Sequence, residues 1–112
     1  MIVLGIESSC DETACAIVED GKKILSNVVA TQIPFHQVYK GVVPEIASRK
    51  HAEWILPVVK QALKEADLPL EKIDAIAATN RPGLMGSLLV GFTFGKTLAW
   101  STNKPFIAIN HM

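Results

Sequence analysis

The stretch that decides the fold is residues 1–18, MIVLGIESSCDETACAIV, in which the apolar runs Ile2–Ile6 and Ala14–Val18 are separated by a polar connection. Two apolar, β-branched runs with a short link between them predict a pair of antiparallel strands. A third such run, Ile24–Thr31, follows the turn Glu19–Lys22 and predicts a third strand. The chain is therefore expected to begin as a three-stranded meander.

The polar segment Gly5–Thr13 between the first two strands carries hydroxyl and carboxyl groups together. A tight corner would aim backbone N–H groups at one point, which suits an anion, and three hydroxyl groups could add donors: Ser8, Ser9 and Thr13. Asp11 and Glu12 repel phosphate, so they imply a bridging metal ion, or a reacting amine or water. An ordinary polar hairpin connection is equally consistent with this composition.

The remaining chain alternates helices and strands after a long segment without clear periodicity, Gln32–Val43. The predicted elements are a helix from Pro44 to Ala66 that contains Pro57, a strand Ile73–Thr79, a helix from about Leu84 to Ser101 and a strand Phe106–Ile109. The order βββαβαβ predicts an α/β fold, with a mixed sheet and crossover helices. By topology it corresponds to the ribonuclease H-like half-domain of actin-like ATPases, an analogy that does not specify chemistry.

Composition limits the classes of function. A chain of 112 residues fits one domain, and 49% hydrophobic residues with a mean hydropathy of +0.28 suggest that some apolar surface meets another domain or subunit. Eleven basic and eleven acidic residues give no global signature of nucleic-acid binding. Cys10 and Cys15 lack CxxC spacing, and no segment is long enough to span a bilayer, so we expect a cytoplasmic protein with reduced thiols and no membrane association.

Two features of the second helix have two interpretations each. Small residues recur every four positions, at Ser87, Gly91, Gly95 and Ala99, and could face the chain's own sheet or first helix, or a partner's helix. The segment Asn80–Gly86 joins a strand end to a helix start, where free N–H groups could bind an anion or merely form a connection.

Four separated motifs lie along the chain: Leu4–Thr13 (LGIESSCDET), Gly41–Arg49 (GVVPEIASR), Pro82–Leu84 with Gly86, and Asn110–Met112 (NHM). Together they resemble the TsaD family of tRNA N6-adenosine threonylcarbamoyltransferases, formerly described as O-sialoglycoprotein endopeptidases. This resemblance extends over the whole chain. It implies the N-terminal lobe, residues 1–112, of a longer two-lobed protein with the actin-like ATPase (ASKHA) fold, so that the second lobe would be absent and the fragment alone inactive.

The resemblance also implies a reaction and its residues. The family transfers threonylcarbamoyl from threonylcarbamoyl-AMP to the exocyclic amine of the adenosine beside the tRNA anticodon. Asp11 or Glu12 would orient or deprotonate that amine, and the substrate would contact Ser9, Cys10, Pro82 and Gly83. His111 would be the first ligand of one iron or zinc ion, which would polarise the carbamoyl or phosphate oxygen of the adenylate.

The resemblance also implies partners, and the chain differs from the family pattern at two positions. The expected partners are tRNA, a paralogous TsaB-like subunit that binds through helices, and an ATPase subunit. The family's usual glycines are replaced by Arg81 and Lys40, which could form part of a tRNA-facing patch. Two alternatives stay open: a metallo-endopeptidase that uses His111, and a non-catalytic scaffold whose second helix binds a related protein.

Overall fold

Five strands form one mixed sheet in the computed structural model, which describes residues 1–9, 12–31, 44–81 and 85–110, with side chains at 1–8, 12–30, 54–79 and 90–109. The strands are β1 (Ile2–Ser9), β2 (Glu12–Glu19), β3 (Lys23–Thr31), β4 (Ala75–Arg81) and β5 (Phe106–Asn110). The helices are α1 (Pro44–Ala66) and α2 (Met85–Ser101), and a short 3₁₀ helix covers Leu70–Lys72. The segment Gln32–Val43, which is predicted to be a long loop, lies outside the described residues.

The sheet has the order β3-β2-β1-β4-β5. The first three strands along the chain are antiparallel neighbours, whereas β1 pairs with β4 and β4 with β5 in parallel. Short connections permit the antiparallel pairs, and the helical connection through α2 permits the parallel pair β4–β5. The predicted α/β class and the order βββαβαβ are therefore confirmed.

Both helices pack on one face of this sheet and on each other. In α1 the buried residues Ile55, Val58, Val59 and Ala62 recur at helical spacing, and they join strand residues such as Leu4, Ile17 and Ile76 in one core. The helix continues through Pro57, whose side chain is exposed. Neither helix, as far as the described residues extend, is long and apolar enough to cross a bilayer.

Helix α2 approaches the sheet through its two interior glycines. A Cβ atom on Gly91 would overlap the Ser8 hydroxyl of β1, and one on Gly95 would lie 3.2 Å from both Ala78 Cβ and Phe106 Cε1. The small-residue stripe therefore faces the chain's own sheet, which was one of its two interpretations. The alternative, that the stripe binds a partner's helix, is wrong for Gly91 and Gly95 because both are buried.

The opposite face of the sheet is covered by no described element and is rich in apolar side chains. The residues of β1 and β4 that alternate with the core residues point there, and so do Val29 of β3 and Ile107 and Ile109 of β5. These three side chains are 50%, 42% and 44% exposed, respectively. The chain thus exposes apolar surface on this face, and the expectation that such surface meets another domain or subunit stays a prediction.

Local signals end both helices and form the β2–β3 turn where the sequence predicts, whereas β4 begins at Ala75 and not at Ile73, because Ile73 N–H still donates to Leu70 O of the 3₁₀ helix, and it continues to Arg81. Asp20 and Gly21 both have positive φ angles, 54° and 66°, as the predicted turn between β2 and β3 requires. Each helix ends at a residue in the left-handed conformation, Asp67 after α1 and Asn103 after α2. At these ends Leu68 N–H donates to Leu63 O, and Lys104 N–H donates to Ala99 O.

We predict that Gly95→Leu lowers the free energy of unfolding by about 2 kcal/mol or more, because overpacking against Ala78 and Phe106 outweighs the gain in helix propensity. Urea denaturation followed by circular dichroism measures this. Thr97→Leu, on the exposed side of the same helix, is the control and should change stability by less than about 0.5 kcal/mol. Equal stability of the two variants would contradict the packing of α2 on the sheet.

Candidate functional site

The polar corner is narrower than the sequence predicts. Strand β1 continues to Ser9 and β2 begins at Glu12, and these two residues form the last pair of the ladder. Residues 10 and 11 alone connect them, and both lie outside the described residues. Pairing between the strands thus extends through most of the segment Gly5–Thr13 that was expected to be a turn.

Two of the three expected hydroxyl donors do not belong to a ligand site. Ser8 and Thr13 are 2% and 0% exposed, and they pair with each other beneath the helices. The Ser8 hydroxyl accepts a hydrogen bond of 2.8 Å from the Gly91 backbone N–H. Their assignment as anion donors is therefore wrong, because the alternation of side chains along a strand turns both toward the core.

The carboxylates occupy the other face. Glu12 alternates with buried Thr13 and so lies on the open face, where its side chain is partly buried. Glu7 lies on the same face, opposite Ala14, and is a diagonal cross-strand neighbour of Glu12, a relation that separates the two Cα atoms by roughly 7–8 Å. Sequence analysis did not single out Glu7, although its alternation with Leu4, Ile6 and Ser8 could have placed it there.

A shallow cavity of about 270 Å³ opens on this face beside Glu7. Small residues of the central strands form its floor, namely Gly5, Ala14 and Ala16. Its polar lining comes from Glu7, Asn27 and Thr79. The arrangement offers a flat apolar surface with hydrogen-bonding groups around it, which suits a ligand that combines an apolar face with polar edges.

The strand ends bring the predicted site segments to one edge of the sheet. Strands β1, β4 and β5 are parallel, so their carboxyl ends at Ser9, Arg81 and Asn110 share an edge. Because β4 lies between the other two, the ends of β1 and β5 are about 10 Å apart. Helix α2 starts at the same edge, at Met85, shortly after β4 ends.

Most residues predicted for the site cannot be placed beyond this backbone framework. Five of them lie outside the described residues: Cys10, Asp11, Pro82, Gly83 and His111. Ser9 is described as part of β1, but its side chain is not. Only Glu12 is placed with its side chain, and the roles assigned to all seven residues stay predictions.

The expected metal ion finds no site in the part of the chain that the structure describes. No three His, Cys, Asp or Glu side chains there form a group that could hold a metal ion. His111 would have to combine with ligands that are not among these residues.

Cys15 is a buried thiol on the helix-facing side of β2, with 0% of its surface exposed. Burial raises the pKa of Cys15 from its ordinary value of 9.0 to about 12, because a thiolate would lose its hydration there. Cys15 is therefore a core residue, neither a nucleophile nor a ligand.

We predict that Cys15 resists alkylation by iodoacetamide at pH 8 in the folded protein. The raised pKa lowers its thiolate fraction by about three orders of magnitude, and burial blocks access as well. Peptide mapping by mass spectrometry, before and after unfolding in guanidinium chloride, measures the modification. Rapid labelling of Cys15 in the native state, matching that in the unfolded state, would contradict its position in the core.

Residues 23–112 of this chain match the family model described as TsaD, tRNA N6-adenosine threonylcarbamoyltransferase. Curated proteins with that name are similar along the whole chain. Those from Treponema denticola and Treponema pallidum are 81% and 70% identical over 112 residues, and the one from Protochlamydia amoebophila is 62% identical. The chain spans about a third of the length of these relatives, 33%, 32% and 33% respectively.

Solved structures are similar in fold at low sequence identity. YeaZ from Pseudomonas aeruginosa matches 98% of this chain and 45% of its own, with a TM-score of 0.74 and 24% identity. RuvC from Thermus thermophilus matches 100% of this chain and 65% of its own, with a TM-score of 0.56 and 15% identity. These similarities confirm a ribonuclease H-like fold, and they carry no information about function at such identities.

Proposed function

Because this chain belongs to the TsaD family of tRNA N6-adenosine threonylcarbamoyltransferases, we propose that it is part of an enzyme that modifies adenosine in tRNA. The reaction moves threonylcarbamoyl from threonylcarbamoyl-AMP to the exocyclic amine of the adenosine beside the anticodon. The observation that carries the proposal is the family match over residues 23–112, together with 81% identity to a curated relative. The chain spans about a third of that relative, so the activity is proposed for the longest protein that its gene encodes.

The proposed chemistry is acyl transfer to a weak nucleophile. The adenosine amine attacks the carbamoyl carbon, a new C–N bond forms, and the C–O bond to the phosphate breaks to release AMP. The amine must lose one proton in the process, and a carboxylate within hydrogen-bonding distance can accept it. The base must therefore lie where both the nucleobase and the adenylate can reach it.

Glu12 and Asp11 are the proposed proton acceptors. Glu12 lies at the first position of β2, on the open face and next to the shared edge of β1, β4 and β5. Asp11 precedes it in the corner. Glu7 is a diagonal neighbour of Glu12 on the same face of the sheet.

The other predicted contacts remain part of the proposal. Ser9 and Cys10 would border the reacting groups, and Pro82 and Gly83 would contact the adenylate near the end of β4. His111 follows β5 directly and would supply one ligand to an iron or zinc ion, with the remaining ligands outside the described residues. If so, His111→Ala should reduce the bound metal measured by mass spectrometry.

Partners are proposed on the same basis. The enzyme would act in the cytoplasm on tRNA, with a TsaB-like paralogous subunit and an ATPase subunit. Since Gly91 and Gly95 pack against the chain's own sheet, a partner must bind elsewhere on the helices. The outward side of α2 offers exposed residues at helical spacing, Thr93, Lys96, Thr97 and Trp100.

We predict that Asp11→Ala and Glu12→Gln each lower the rate of tRNA modification by roughly 10²- to 10⁴-fold, the range for loss of a general base. The assay uses the longest protein encoded by the gene with its partner subunits, threonylcarbamoyl-AMP and tRNA, and quantifies the modified nucleoside by mass spectrometry. Glu19→Gln, at the opposite end of β2, is the matched control and should retain the activity of the unmodified protein.

Normal modification by both corner variants would overturn their assignment as proton acceptors. Peptide or glycoprotein cleavage that persists without tRNA and adenylate would instead favour the metallo-endopeptidase. Absence of any modification by the unmodified protein and its partners would contradict the proposed reaction itself.

We predict that Trp100→Ala weakens binding of a TsaB-like subunit by roughly 30-fold, the effect typical of an interface hot spot. Trp100 is 85% exposed, and a large aromatic side chain on the surface commonly anchors a protein interface. Isothermal titration calorimetry measures the dissociation constant. Thr97→Ala on the same side of α2 is the control, and an unchanged affinity of Trp100→Ala would exclude this side of the helix as the interface.

A further inference from the structure

One contact joins α2 to the strand that leads into the polar corner. The Gly91 N–H, in the interior of α2, donates a 2.8 Å hydrogen bond to the Ser8 hydroxyl in β1, across 83 residues of sequence. Ser8 is 2% exposed, so the bond is shielded from water and from competing partners. A mid-helix N–H normally donates to a carbonyl of its own helix. The hydrogen bond from Gly91 to a strand side chain fixes the distance between Ser8 and α2.

The contact leaves little room for a side chain at position 91. A Cβ atom on Gly91 would overlap Ser8 Oγ, and it would lie 3.1 Å from Ser8 Cβ and at ordinary contact distance, 3.4 Å, from Ser8 N. Rotating the hydroxyl away would break its hydrogen bond and relieve the overlap, but Ser8 Cβ would still be too close. A side chain at position 91 therefore requires β1 and α2 to separate by a few tenths of an ångström at Ser8.

Ser8 is well placed to transmit such a displacement. It pairs with Thr13, and the next pair, Ser9 with Glu12, closes the hairpin. Thr13 is fully buried on the same side as Ser8, so both strands of the hairpin rest on the helix layer at this level. A movement of Ser8 thus shifts the adjacent pair, Ser9 and Glu12, which is the last of the ladder.

We infer that Ser8 and Gly91 are positioning residues for the acidic corner: their contact sets where Glu12 stands relative to α2. This inference rests on the proposed function, since it assigns the contact a role in that reaction. Neither residue touches the substrate. Their effect on the rate arises from geometry, and a misplacement of about 1 Å can cost roughly 10²-fold in rate.

The test compares alanine at two glycines of the same helix. Gly91→Ala presses on β1 beneath the corner, whereas Gly95→Ala presses on β4 and β5 one turn farther along, at Ala78 and Phe106. Both substitutions change helix propensity equally. We expect Gly91→Ala to lower kcat by roughly 10- to 100-fold with a smaller change in KM, and Gly95→Ala to lower the unfolding temperature with kcat within about twofold.

A compensating substitution separates positioning from general destabilisation. Ser8→Gly removes both side-chain atoms that a Cβ at position 91 would meet, so Ser8→Gly with Gly91→Ala should regain part of the lost kcat, and the loss of the Ser8 hydrogen bond should keep it below that of the unmodified protein. Ser8→Ala leaves the Cβ contact in place and should rescue Gly91→Ala less. Rates are measured well below the unfolding temperature of every variant, so that loss of folded protein cannot account for them.

A second readout does not depend on the reaction. In amide NMR spectra of the 112-residue chain, Gly91→Ala should shift the signals of residues 9–12, Ser8→Gly should reverse those shifts, and Gly95→Ala should leave them in place. Shifts confined to α2, or a double variant no closer to the unmodified protein than Gly91→Ala, would overturn the inference. An unmodified protein without transferase activity would refute the proposed function, and the spectra alone would then decide whether this contact positions the corner.

Discussion

Close packing of α2 against β1 and β4 is the constraint on which the rest of this structure depends. Two glycines one turn apart let the helix backbone approach within reach of a strand side chain, where Gly91 N–H meets the Ser8 hydroxyl. Glycine in a helix interior costs up to about 1 kcal/mol relative to alanine. The buried hydrogen bond and the close contacts with Ala78 and Phe106 offset that cost, and they also fix the distance between the layers.

This packing gives the sheet two different faces. The helices bury one face, where even a polar pair, Ser8 and Thr13, is enclosed. The other face carries Glu7 and Glu12 beside a floor of glycine and alanine, with isoleucine and valine exposed around it. The two carboxylates therefore lie on the face that a ligand can reach. The Ser8 and Thr13 hydroxyl groups, which the sequence also suggested as ligand donors, lie on the helix-facing side of the hairpin.

The fold and the family come from different evidence. Proteins as dissimilar in sequence as YeaZ and RuvC share the arrangement of this sheet at 24% and 15% identity. An architecture that is shared so widely cannot specify a reaction. Membership of the transferase family rests on the sequence. The architecture adds the relative positions of the strand ends, because it brings the ends of β1, β4 and β5 to one edge of the sheet.

The sequence by itself determined the order of the elements, the antiparallel start of the sheet and the ends of both helices. These follow from local patterns: apolar runs of strand length, Asp20-Gly21 in a tight turn, and helical spacing in α1. The family motifs likewise predicted that the corner between β1 and β2 carries the chemistry. Residues 10, 11 and 111 lie outside the described residues, so the predicted convergence of their side chains stays a prediction.

Only the tertiary structure decided which polar residues of that corner lie on the open face of the sheet and which way the two buried glycines of α2 point. Composition marked Gly5–Thr13 as a turn, yet pairing extends β1 to Ser9 and starts β2 at Glu12. Strand pairing then imposes a period of two, which sends Ser8 inward and Glu7 outward regardless of their polarity. Whether a small-residue stripe meets its own sheet or a partner likewise depends on what packs against the helix, a contact between segments that are distant in sequence.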